Sequence, residues 1–126
     1  MDKKISIAGS IPLCFQKLYD LKLAIDEAEK MLEAMYAVQD DSIQDAILLL
    51  EEKTNEMEDE QEKFLKEAEP YFEALMEINR RACICAKLHY ENGLTWEKIS
   101  EQLGQSDDAI KHAVHRACAK LQKQQK

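Results

Sequence analysis

The feature that most constrains this chain is an apolar or small residue at every third or fourth position between Ile11 and Met35. The members of this series are Ile11, Cys14, Leu18, Leu21, Ile25, Ala28, Leu32 and Met35. An α-helix makes about 3.6 residues per turn, so this spacing places the whole series on one helix face, as in a coiled coil. Ser10 and Pro12 favour a helix start, with Ser10 as the cap. We therefore predict a helix from Ser10 that ends near Val38.

A second series with the same spacing follows the turn-forming sequence at residues 39–42. Its members are Ile43, Ile47, Leu50, Thr54, Met57, Gln61, Phe64 and Ala68. Ser42 is the expected N-cap of this helix. Two helices of similar length joined by a short turn predict an antiparallel, coiled-coil-like hairpin. A short hairpin buries little surface alone, so we expect it to pack on the rest of the chain or to dimerise.

Pro70 marks the predicted boundary between two domains. A proline inside a helix removes a backbone hydrogen bond and clashes with the preceding turn. We therefore predict a kink or restart, with Pro70 in the first turn of a third helix that ends at Asn92 or Gly93. The predicted domains are an acidic hairpin, residues 1–69, for oligomerisation or partner binding, and a helix-turn-helix domain, residues 70–126.

Charge is distributed unevenly along the chain. Residues 1–78 hold 20 acidic and 8 basic side chains, a net of −12, whereas residues 79–126 hold 5 acidic and 9 basic ones, a net of +4. An acidic part avoids nucleic acid, and a mildly basic part can contact it. The acidic run "EEKTNEMEDEQEK" could mimic DNA, but we favour the solvated exterior of a helix.

The segment "GLTWEKISEQLGQSDDAIKHAVHRACAKL", residues 93–121, has the pattern of two helices joined by a tight turn. Thr95 is a good N-cap for the first helix, and Gly104 is suited to end it. Ser106 can cap a second helix at about residues 107–122. The fold class predicted for the whole chain is all-α: a hairpin followed by a helix-turn-helix.

The second of these helices would face a DNA groove. Lys111, Arg116 and Lys120 can neutralise phosphates, and His112 and His115 can donate to phosphates or base edges. Thr95 and Ser106 can add contacts from the helix N-termini, where backbone N–H groups favour anions. The predicted DNA-binding residues are therefore Thr95, Ser106, Lys111, His112, His115, Arg116 and Lys120. Asp107 and Asp108 oppose this interpretation, because phosphate repels carboxylate.

The same segment resembles the last region of bacterial sigma factors, region 4, and a group of small phage and prophage transcriptional regulators that share its fold. The residues that match in order are Tyr90, Gly93, Leu94, Thr95, Trp96, Ile99, Leu103, Gly104, Ser106, Ala117 and Leu121. The resemblance implies a sigma region 4-like helix-turn-helix that binds double-stranded DNA in transcription control, in a phage or prophage setting. The resemblance covers about the last third of the chain closely.

The sequence gives no support for an enzyme, a cofactor or a metal site. Cys83 and Cys85 are two residues apart, so on a helix they point to nearly opposite sides and cannot converge on one ion. His112 and His115 could share an ion, but no further ligand is placed to complete its shell. We find no catalytic constellation of side chains, and so we expect a non-enzymatic protein.

The expected location is the cytoplasm. No apolar run approaches the roughly 18 residues that a membrane span needs, and the apolar part of the start "MDKKISIAGSIPLCF" is too short for a signal peptide. The four cysteines lack the spacing of a disulfide framework, as expected in a reducing compartment. We therefore expect no membrane partner.

Two other functions remain open. In the first, the chain is an adaptor or inhibitor, for example of RNA polymerase, that keeps the helix-turn-helix fold without binding DNA. In the second, it is a phage DNA-packaging subunit, which also joins a helix-turn-helix to an oligomerisation region. In the DNA-binding interpretation, the hairpin mediates a homodimer or a contact with RNA polymerase.

Overall fold

The computed structural model describes residues 10–38 and 40–124, and all of their regular elements are helical. A short 3₁₀ turn, Asp41–Ile43, separates the first two helices, and a π-helical turn, Lys87–Glu91, follows the third. The five α-helices are α1 (Leu13–Ala37), α2 (Gln44–Ile78), α3 (Arg80–Ala86), α4 (Trp96–Leu103) and α5 (Asp107–Gln124). The predicted all-α class is confirmed.

Helices α1 and α2 form the predicted antiparallel hairpin. Near the tip, the Tyr36 hydroxyl contacts the Glu51 carboxylate, while at the base the rings of Phe15 and Phe72 stack. Both predicted series face inward, since their members are buried or half-buried throughout. Thr54 is buried in the second series because its hydroxyl donates to the Leu50 carbonyl at 2.7 Å. A satisfied hydroxyl makes this polar side chain tolerable inside the hairpin.

The helix restart predicted at Pro70 is wrong, whereas the alternative of a kink there stays a prediction. Helix α2 continues through Pro70 and ends at Ile78. The break lies at Asn79, whose backbone is extended and whose side chain accepts a hydrogen bond from the Ala82 N–H at 3.1 Å. Proline removes only one donor, and the burial of Phe72 and other side chains beyond it outweighs that loss. The domain boundary predicted at residues 69 and 70 falls inside α2 and stays a prediction, and residues 1–9 lie outside the described residues.

Two predicted caps are also wrong. The N-cap of α1 is Pro12, with no side-chain hydrogen bond, while Ser10 is buried and its carbonyl accepts from Gln122 Nε2 at 2.9 Å. Ser10 therefore ties the start of the hairpin to α5. The N-cap of α2 is Ile43, with no side-chain hydrogen bond, while the Asp40 carboxylate accepts from the Ser42 N–H at 3.0 Å and caps the 3₁₀ turn. Gln39, the first residue of the predicted turn, lies outside the described residues.

The core lies where the base of the hairpin meets the C-terminal helices. Phe15 is fully buried, with its ring centroid 4.4 Å from that of Phe72 and 5.4 Å from that of Tyr90. All four cysteines are free and buried: Cys14, Cys83, Cys85 and Cys118. The Cys83 thiol donates to the Phe72 carbonyl at 3.2 Å, so it joins α3 to α2.

Substitution of Gly93 tests how closely the loop before α4 packs against Lys22 of α1. Gly93 and Gly104 both have positive φ values, 76° and 70°, but only at Gly93 would an added Cβ meet another side chain, Lys22 Cγ at 2.8 Å. We expect Gly104→Ala to lower the free energy of unfolding by about 1 kcal/mol from backbone strain. Gly93→Ala should cost roughly 1 kcal/mol more, because Lys22 must move. Urea denaturation of both variants checks this, and equal losses would contradict it.

Candidate nucleic-acid interface

The helix-turn-helix is formed by α4 and α5, and its local geometry follows the predicted capping. Thr95 Oγ1 accepts from the Lys98 N–H at 3.1 Å, and Ser106 Oγ accepts from the Ala109 N–H at 3.1 Å. Gly104 adopts the left-handed conformation that ends α4. The three predictions for Thr95, Gly104 and Ser106 are confirmed. Helix α5 begins at Asp107, as predicted, and extends to Gln124.

The inner side of α5 is apolar. The buried residues of this helix are Ile110, Val114, Ala117, Cys118 and Leu121, and they recur at the spacing of one helix face. This face packs against α2, α3 and α4. The opposite face of α5 is therefore the side that is open to a ligand.

The structure places the predicted basic residues around the open side of α5 rather than in one compact patch. Lys111, His112, Arg116 and Lys120 are exposed, while His115 is half-buried. Lys111 and His115 lie on the flank nearest His89, since both repel its protonated form. Arg116 and Lys120 lie on the other flank, where they line a groove together with Ile78 and Asn79 of the α2–α3 corner.

Thr95 and Ser106 are exposed at the N-termini of α4 and α5. In each case the hydroxyl oxygen accepts a backbone hydrogen bond, which leaves the hydroxyl proton available to donate. An anion at either position would also meet the positive end of a helix dipole. Both side chains can therefore serve as caps and as phosphate donors.

The two aspartates at the start of α5 are exposed as well. The Asp107 carboxylate accepts from the Asp108 N–H at 3.1 Å. Negative charge in the first turn stabilises the helix, but it lies beside the positions from which a recognition helix contacts bases. These carboxylates lower the positive potential of the interface.

Several exposed basic side chains were not among the predicted site residues: Arg80, Arg81, Lys87 and Lys98. Two of them were missed because the third helix was predicted to start at Pro70, whereas α3 starts at Arg80. Arg80 and Arg81 belong to the first turn of α3, directly after Asn79, which lines the groove beside α5. Recognising Asn79 as a helix cap would have placed both arginines next to the interface.

His89 lies at the centre of an aromatic stack that joins the hairpin to the helix-turn-helix. Its ring lies between Tyr19, with centroids 4.3 Å apart, and Trp96, with centroids 3.8 Å apart. Its Nδ1 lies 2.7 Å from the Leu94 carbonyl oxygen, so Nδ1 carries the proton of the neutral ring. In this stack His89 is buried and Trp96 is half-buried.

Burial lowers the pKa of His89, and the charges of His115 and Lys111 lower it further, while the hydrogen bond to Leu94 opposes the shift. Burial likewise lowers the pKa of His115, with added repulsion from Lys111 and His112. At neutral pH, His115 is therefore an uncharged hydrogen-bonding group rather than a cation.

Residues 10–38 and 40–124 contain no cluster of three or more His, Cys, Asp or Glu side chains arranged to hold a metal ion. Over the same residues, no helix combines the length and the apolar character of a membrane span.

A comparison with known protein families matches residues 87–121 to sigma-70, region 4. The match spans the π-helical turn, α4 and most of α5. No curated protein and no solved structure matches the chain. The match supports the predicted sigma region 4-like helix-turn-helix and, with it, a regulator of the DNA-binding kind.

The His89 stack predicts that the fold loses stability in mild acid. Because the pKa of His89 in the folded chain lies below the ordinary 6.5, the unfolded chain binds the proton more readily. The free energy of unfolding should therefore fall as the pH drops below 6.5 towards the folded-state pKa. His89→Phe keeps a ring between Tyr19 and Trp96 but cannot titrate, so it should reduce this pH dependence and leave the part that is due to His115.

Urea denaturation between about pH 7.5 and about pH 5.5, the range in which histidine titrates, measures the effect. His115→Gln should also reduce the slope, because burial lowers the pKa of His115 as well. An unaltered slope in His89→Phe would show that His89 does not cause the acid sensitivity.

Proposed function

We propose that this chain is a non-enzymatic transcriptional regulator, encoded by a phage or prophage, that reads duplex DNA with α5. One observation carries the proposal: residues 109–124 of a sigma region 4-like helix-turn-helix hold four basic side chains and no acidic one. Those side chains are Lys111, Arg116, Lys120 and Lys123, and all are exposed.

In the proposed complex, α5 enters the major groove with its open side towards the bases. Lys111 on one flank and Arg116 and Lys120 on the other neutralise the phosphates that border the groove. His112 lies between these flanks and is the side chain best placed to reach base edges. Thr95 and Ser106 donate to phosphates at the helix N-termini.

The hairpin supplies the second part of the proposed function, a homodimer contact or a contact with RNA polymerase. Its acidic exterior keeps it away from DNA, because phosphate repels carboxylate. We further propose that the protein acts in the cytoplasm, where its four buried thiols remain reduced.

The observation that favours the competing function is the pair Asp107 and Asp108 at the start of α5. In that function the chain is an adaptor or inhibitor whose helix-turn-helix contacts protein instead of DNA. DNA binding at low salt separates the two functions, since only the first requires it.

We expect Lys111→Glu combined with Arg116→Glu to weaken binding to duplex DNA. If both side chains contact phosphate, the slope of log affinity against log salt should fall by about 2. Fluorescence anisotropy on mixed-sequence duplex measures the slope. Lys30→Glu combined with Lys53→Glu in the hairpin changes the net charge equally and should have little effect. No binding of the unmodified chain at low salt would favour the adaptor.

Removing the carboxylates at the start of α5 should strengthen DNA binding. Asp107→Asn combined with Asp108→Asn relieves two repulsions of about 0.5 kcal/mol each across ~8 Å of water, a gain in affinity of roughly fivefold. Asp41→Asn combined with Asp45→Asn, in the hairpin, is the matched control. Unchanged affinity after the first pair of substitutions would mean that phosphates do not approach this end of α5.

A further inference from the structure

The distal end of the hairpin exposes apolar side chains that the described residues leave uncovered. Five of the nine large apolar side chains that are exposed lie between residues 31 and 49. They are Met31, Tyr36, Val38, Leu48 and Leu49. Leu48 and Leu49 are 61% and 67% exposed. We call this set the apolar tip.

The contact between Tyr36 and Glu51 orients one side of the apolar tip. The Tyr36 hydroxyl donates to the Glu51 carboxylate, so Tyr36 lies on the side of the hairpin that carries Glu51. Leu48 precedes Glu51 by three residues and therefore lies on the same side of α2. Tyr36 and Leu48 are thus exposed on one side of the hairpin, as large side chains of the kind that fill apolar grooves.

The charge around the apolar tip is mostly negative, although Lys30 lies near Tyr36 and Lys53 follows Glu52. Residues 31–52 contain six acidic side chains and no basic one. The acidic residues are Glu33, Asp40, Asp41, Asp45, Glu51 and Glu52. A surface that combines apolar anchors with this charge is complementary to an apolar groove with a basic rim.

The same chain contains such a groove. A cavity of about 590 Å³ lies between the α2–α3 corner and the outer flank of α5. Ile78 and the alanines of α5 line its floor, and Arg116, Lys120 and Lys123 line its rim. Because alanine side chains are small, they leave room for leucine or tyrosine side chains. We call this cavity the α5 groove.

We propose that two copies of the chain form an antiparallel dimer in which the apolar tip of each copy occupies the α5 groove of the other. The charges select this arrangement, since a contact between two tips would bring six carboxylates of each copy together. A contact between two α5 grooves would likewise bring like charges together. Pairing tip with groove brings opposite charges together, and two-fold symmetry forms the contact twice and closes the assembly.

The dimer has a consequence that rests on the proposed function. Arg116 and Lys120 line the α5 groove, and the same two residues are proposed to contact phosphate. A docked tip therefore occupies part of the DNA-binding surface, and self-association and DNA binding exclude each other. The dimer itself does not depend on DNA binding.

The first experiment is sedimentation equilibrium of the full chain without DNA, over a wide concentration range and at low and high salt. We expect a dimer whose dissociation constant rises with salt, because opposite charges meet at its interface. Leu48→Ser combined with Leu49→Ser should raise that constant about tenfold or more by removing anchors. A monomer at every concentration would overturn the proposal.

Charge reversal distinguishes this dimer from one that joins two tips. Asp41→Lys with Asp45→Lys, and separately Lys120→Glu with Lys123→Glu, should each weaken the dimer, whereas all four substitutions in one chain should restore it. If the dimer instead joined two tips, Asp41→Lys with Asp45→Lys would strengthen it by relieving repulsion. Lys120→Glu with Lys123→Glu would then have no effect. Glu56→Lys with Asp59→Lys, exposed in the middle of α2, is the matched control. Circular dichroism verifies that each variant is folded.

A second experiment adds duplex DNA to the dimer. The expected result is release of monomers, each with DNA bound, as the DNA concentration rises. A dimer that persists with DNA bound would overturn the exclusion. Failure of the chain to bind DNA would count against the proposed function, while the first experiment still decides whether the tip occupies the groove.

Discussion

The stack of Tyr19, His89 and Trp96 is the interaction on which the arrangement of this protein depends. Tyr19 belongs to α1, His89 to the π-helical turn and Trp96 to the first turn of α4, so the stack connects the hairpin directly to the helix-turn-helix. The hydrogen bond from His89 to the Leu94 carbonyl holds the segment between them in place. Helix α5 packs on α4 and also directly on α2 and α3, so the stack and these contacts together set its orientation relative to the hairpin. A flat ring that is neutral at physiological pH serves here because burial disfavours its charged form.

Charge then divides the molecule into two functional ends. The tip of the hairpin is acidic and apolar, and the outer side of α5 is basic, with two carboxylates at its start. DNA and the apolar tip of a second copy each present closely spaced negative charge, so both are attracted to the basic side of α5. The tip also binds through apolar side chains, which phosphate lacks. DNA also offers base edges for hydrogen bonds, which the tip lacks. In the proposed dimer, DNA and the tip compete for this surface, and the competition regulates DNA binding.

Local patterns were sufficient to predict the hairpin, the helices α4 and α5, and the caps at Thr95 and Ser106, because each depends on residues within one or two turns. They failed at Pro70, where the packing of Phe72 and Leu75 in the core overrides the tendency of proline to end a helix. Phe15 follows Cys14 of the first series and was not predicted to be buried, since only contact with Phe72 and Tyr90 explains its position. The α5 groove lies between the end of α2 and α5, two distant segments whose contact no local pattern encodes.

The burial of all four cysteines has a consequence for the chemistry of this protein. Burial raises the pKa of each thiol, that of Cys118 to about 12. The thiolate is the form that attacks alkylating reagents and oxidants, so these side chains react slowly while the chain stays folded. A single cysteine introduced at the exposed Leu48 would then be the fast-reacting thiol of the protein. Its rate of modification by a maleimide would report directly whether a neighbouring molecule shields that position.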